Sequence, residues 1–171
     1  MRFAYFARLP AARKQTRRRS DAVARIKLPH GKPVADLLAR IEAALTGGRR
    51  AGLEAASQCL LDALTARLKV PPVKVHVRDV RPSGRWGQLH GLYEPGESES
   101  SAAITVWMRT AARKQVVAYR TFVRILLHEL CHHLDYELLK LPETFHTAGF
   151  YKREASLFRQ IGVRTKVAGR V

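Results

Sequence analysis

One five-residue stretch combines residue types that could do chemistry together: His128-Glu129-Leu130-Cys131-His132. It sits within residues 115–139, where Phe122, Ile125, Leu126, Leu130, Leu134 and Leu138 recur at three- and four-residue steps, so the segment reads as one long helix with a buried side. Four residues turn a helix through about 400°, which points both imidazoles the same way, about 6 Å apart. Two ring nitrogens can then reach one Zn2+ at about 2.0–2.1 Å. Glu129 falls about 100° round from His128, beside such an ion rather than on it. A carboxylate there can act as general base toward a water whose pKa zinc lowers to about 7. This is the H-E-x-x-H pattern of zinc-dependent hydrolysis.

A catalytic zinc takes three protein ligands and keeps one position open. His146, past a turn at Leu141-Pro142, is the first choice for the third. Glu154 is its rival: on a last helix over residues 150–161 it shares a face with Phe150, Phe158 and Ile161, where a carboxylate needs zinc, an arginine or an imidazole as partner. His133 points about 100° away from His132 and reads as solvent-facing. Asp135 could orient a ligand imidazole or stand exposed on the helix. Tyr136 and Tyr151 read as packing residues, with an oxyanion contact as the alternative. Cys59 and Cys131 form no Cys-x-x-Cys pair and read as reduced, small apolar residues. His30, His76 and His90 have no partner at ligand spacing and read as surface residues.

The rest of the 171-residue chain must hold these groups in place, and its length fits one domain. Pro33 to Leu45 carries Val34, Leu37, Leu38, Ile41 and Leu45 at helical spacing, closed by Thr46-Gly47-Gly48. A second helix is expected over residues 53–68 and ends before Pro71-Pro72. Residues 73–80 alternate Val73, Val75 and Val77 with Lys74, His76 and Arg78, the period of a half-buried strand. A short strand around Gln88–Tyr93 and a more apolar one over 101–108 complete a small sheet. The fold class is therefore α+β. The pentapeptide Ala-Ala-Arg-Lys-Gln occurs at 11–15 and 111–115, but nothing around it repeats.

Charge adds a second theme. There are 31 Lys plus Arg against 14 Asp plus Glu, a net charge of +17, with nine of the cations in residues 1–27. That density predicts a basic, flexible arm over 1–27, ahead of a folded domain over 28–171. A nucleic acid is then an expected partner. No apolar run approaches the roughly 18 residues of a membrane span, and Arg8 and Pro10 interrupt any secretory signal, so no membrane association and a cytoplasmic location are expected.

His128-Glu129-Leu130-Cys131-His132-His133, a linker, and then His146-Thr147-Ala148-Gly149-Phe150 resemble the SprT-like metallopeptidase family, in which HExxH is followed by a third histidine in an HGxxF-like segment. The resemblance spans roughly residues 70–162. It implies a zincin-like fold with N-terminal helices, a small mixed sheet, an HExxH helix and a C-terminal capping helix. It also implies zinc on His128, His132 and His146, with Glu129 as general base. Thr147 and Gly149 depart from the usual order after the third histidine, and no cysteine cluster follows for the zinc ribbon many members carry. Members include proteases acting on proteins bound or crosslinked to DNA. By the same analogy, Ala103 to Met108 could pair with an extended substrate peptide. The expected function is zinc-dependent peptide-bond hydrolysis; the alternative is a basic nucleic-acid-binding protein with a structural or degenerate zinc site.

Overall fold

A computed structural model describes residues 8–84, 87–96 and 101–163. Within them the chain is α+β, with five helices and a three-stranded mixed sheet: α1 (Ala11–Ala22), α2 (Ala35–Thr46), α3 (Arg50–Leu68), β1 (Lys74–Val80), the two-residue strands β2 (Ser83–Gly84) and β3 (Gly87–Gln88), β4 (Gly91–Glu94), β5 (Ala103–Arg109), α4 (Tyr119–Glu137) and α5 (Ala148–Gln160). No helix among them is long and apolar enough to cross a membrane.

The sheet order is β1-β5-β4, with β1 parallel and β4 antiparallel to β5. Val75 and Val77 of β1 pair with Ile104 and Val106 of β5, and these four are buried, as alternation predicts. The apolar stripe of α4, with Phe122, Leu126, Leu130 and Leu134 fully buried, packs on β4 and β5. Each such side chain contributes about 1.5–3 kcal/mol through burial. On the other side of the sheet order, α3 closes the outer edge of β1. Gln58 bonds the Val73 carbonyl and the Val75 amide at 2.9 and 2.8 Å, and Glu54 accepts from the Val77 amide at 2.8 Å.

Three expectations need correction. The strand over 103–109 is central, paired on both sides, so no substrate strand can add to it; among the described residues the free edge is that of β4. Within the expected arm, residues 11–22 form a helix that packs on α5, rather than an extended tail. Its burial is polar: Thr16 and Ser20, four residues apart, face inward while the arginines line the outside. Residues 1–7 of that segment lie outside the described ones. Finally, α4 starts at Tyr119, not near 115, because Val116 bridges Arg109 and the Val117 amide bonds the Met108 carbonyl at 2.8 Å. The two Ala-Ala-Arg-Lys-Gln copies adopt different structures, helix at 11–15 and turn at 111–113.

Helix α5 begins two residues before expectation, because Thr147 caps it by accepting from the Phe150 amide at 3.1 Å. Its end matches expectation, with Gly162 at φ +72° just beyond.

Candidate metal centre

Helix α4 presents His128 and His132 one turn apart, with ring centroids 5.0 Å from each other. The loop after α4 returns His146 to face them. His146 Nε2 lies 2.9 Å from His128 Nε2 and 3.0 Å from His132 Nε2. The three ligand atoms all fall within 4.8 Å of one another.

The far side of each helix imidazole decides its tautomer. His128 Nδ1 is 2.9 Å from the Glu154 carboxylate, which can only accept, so that nitrogen carries the proton. His132 Nδ1 is 2.8 Å from Thr144 Oγ1, whose own proton goes to Asp135 Oδ2 at 2.8 Å. Thr144 therefore accepts from His132. Both Nε2 atoms are left with lone pairs aimed at His146 Nε2, which has one position to offer. Three converging nitrogens of this kind repel one another unless a cation sits among them, and neutral imidazoles suit a borderline-soft divalent ion. Burial, then His128 and His146, push His132 down to about 3; burial and His128 also lower His146, with Glu154 opposing. Both shifts favour the neutral, ligating form. The residues fit a metal ion.

Glu129 lies beside this point, only 5% exposed, in the wall of an open groove of about 710 Å3 lined also by Leu92, Tyr93, Ile125, Tyr136 and Tyr151. Burial pushes its carboxyl up to about 7, with His128 opposing and Glu154 adding. Strand β4 runs directly over it: a Cβ at Gly91 would come within 2.7 Å of Glu129 Cγ. Glycine is needed there for close approach.

The structure brings together His128, Glu129, His132 and His146 as expected. Glu154 reaches the back of His128 rather than the converging nitrogens, where it orients a ring. Asp135 acts on His132 through Thr144, which sequence reasoning missed although it stands two residues before His146. His133 is not solvent-facing. It is 1% exposed, donates from Nε2 to the Pro71 carbonyl at 2.8 Å, and accepts from the Tyr93 hydroxyl at 3.1 Å. That pair ties α4 to the sheet. Tyr151 is half exposed, its ring stacked 5.8 Å from that of His146, and Tyr136 stacks on Tyr93 at 5.9 Å. His90, expected at the surface, is exposed but stands on the groove rim. His30 and His76 are exposed. Cys131 is buried, which pushes its thiol up, and Cys59 is an exposed free cysteine.

No family model, curated protein or solved structure matches the chain.

Proposed function

We propose that this chain is a zinc-dependent metallopeptidase of the SprT-like, zincin type, cleaving peptide bonds in cytoplasmic protein or peptide substrates, DNA-associated proteins among them. The observation that carries this reading is the meeting of three imidazole nitrogens beside a buried carboxylate, at the wall of an open groove. His128, His132 and His146 would hold the zinc, which when bound would supply Lewis acidity toward a carbonyl and a water whose pKa it would lower to about 7.

Glu129 accepts the proton of the attacking water and returns it to the leaving amine. Glu154 and the Thr144–Asp135 pair keep His128 and His132 turned inward. The free edge of β4, with Leu92 37% exposed, runs along the groove and offers backbone hydrogen bonds to an extended peptide. Tyr151 offers its hydroxyl to the oxyanion beside His146.

Cleavage of an unfolded protein substrate by zinc-loaded wild type and Glu129→Gln tests the reading. The variant should retain zinc and lose at least about 10²-fold in rate. Undiminished cleavage rejects Glu129 as the base.

One observation favours a second reading, a nucleic-acid binder with a structural metal. Arg25, Lys27, Arg67 and Lys69 line a cleft of about 400 Å3, and among the described residues no carboxylate forms a salt bridge with any of them. Steeply salt-dependent DNA binding that is lost on replacing those four, with no proteolysis by zinc-loaded wild type, decides for that reading.

A further inference from the structure

The contacts of α1 fall on both sides of His146. Before it, Arg13 donates to the Glu143 carboxylate at 2.6 to 3.1 Å, the Arg17 guanidinium lies 5.1 Å over the Phe145 ring, and Arg19 donates to the Leu139 and Lys140 carbonyls at 3.3 and 3.2 Å. After it, Ser20 Oγ meets Thr147 Oγ1 at 3.2 Å, and Asp21 Oδ1 accepts from the Gly149 amide at 2.7 Å. The helix is fastened to the segment that delivers the third histidine.

The fit at Gly149 is close. A Cβ there would lie 2.6 Å from the Ser20 carbonyl oxygen and 2.7 Å from Asp21 Cα, so α1 can seat only on a glycine. A buried chain also joins α1 to His132. Arg153, fully buried, donates to the Ser20 and Val23 carbonyls at 2.5 and 2.6 Å and to Asp135 at 2.7 Å, and Asp135 receives Thr144, the partner of His132. A helix without an apolar face would have little reason to dock unless these polar contacts held it.

We infer that α1 is a positioning element for the metal centre: docked, it holds residues 139–149 so that His146 joins the helix pair, and undocked it leaves His128 and His132 alone. This rests on the three-histidine metal site proposed above. The basic segment then determines how tightly the metal is kept, whatever else its charge attracts. A loop of this length is costly to order for one ligand, and α1 supplies that order in advance.

The test is a double-mutant cycle on zinc affinity of the full chain, read by competition with a chromophoric chelator. Arg13→Ala/Arg17→Ala/Arg19→Ala should weaken zinc by about 10- to 100-fold, the range for groups that orient ligands. Removing three cations by itself favours a dication, so weakening cannot come from charge. In a His146→Ala background the same three substitutions should cost no more than about twofold, since they act through His146. Asp21→Ala, a single local change that also removes an anion, is run in the same cycle with His146→Ala, where its loss should vanish if it acts through His146 and persist if it acts through charge; it covers the case in which the triple variant fails to fold. Wild-type affinity in these variants, or equal losses with and without His146, overturns the inference. Tight zinc binding by wild type with an additive cycle rejects the brace alone; no zinc binding by wild type rejects the metal centre with it.

Discussion

Gly91→Ala is a small change with a calculable consequence. The added methyl would overlap Glu129 Oε1 most and lie 2.7 Å from Cγ and 2.8 Å from Cδ, where ordinary contact begins at 3.4 Å. Something must move by about 1 Å, and overpacking of this kind costs about 1–3 kcal/mol. Strand β4 is the stiffer partner, paired to β5 at Gly91–Val106 and Tyr93–Ile104 and anchored by the Tyr93–His133 bond. The Glu129 side chain therefore yields. Misplacing a catalytic group by about 1 Å costs about 10²-fold, so kcat should fall by about 10- to 100-fold with little change in KM. Zinc content should be unchanged, because the methyl meets Glu129 and not the imidazoles. The assay is steady-state hydrolysis of a fluorogenic peptide, alongside metal analysis. In a Glu129→Gln background, Gly91→Ala should cost little more. A kcat within twofold of wild type refutes the claim that β4 sets the position of Glu129.

Two further predictions concern stability. Arg153→Met leaves Asp135, 0% exposed, without its cation, and should destabilise the fold by about 3–5 kcal/mol in urea titrations; a loss below about 1 kcal/mol contradicts the buried pair. For Glu129 in the metal-free protein, the folded pKa of about 7 lies above the ordinary 4.5, so the folded state binds the extra proton and stability from this group falls as pH rises from about 4.5 to 7. Metal-free Glu129→Gln should therefore gain on wild type between pH 5 and pH 8, by up to about 3 kcal/mol; a gap that does not widen refutes the assignment.

What was legible in the sequence was what helical geometry alone dictates. His128, Glu129 and His132 keep their relation because the 3.6-residue turn is rigid, and the leucine stripe says which side of α4 is buried. His146 was legible as the available imidazole beyond a turn. His133 was misplaced because its partners, Pro71 and Tyr93, come from distant segments, and rotation about one helix cannot say what packs against its other faces. The segment over residues 11–22 looked like a tail because it has no apolar period; its docking depends on hydrogen bonds to α5 and the His146 loop that leave no periodic trace. The centrality of β5 depends on the return of β4, a four-residue strand in a turn-rich stretch. Gly91 and Gly149 both lacked a signal, since each is explained by a neighbour more than 35 positions away in sequence.

The most direct measurement is a crystal structure of the zinc-loaded protein with anomalous data at the zinc edge. The expected result is a single peak about 2.0–2.1 Å from Nε2 of His128, His132 and His146, with its remaining position open to the groove and Glu154 still on His128 Nδ1. Three imidazoles with no peak between them, or a peak bound by Glu154 in place of His146, contradicts it.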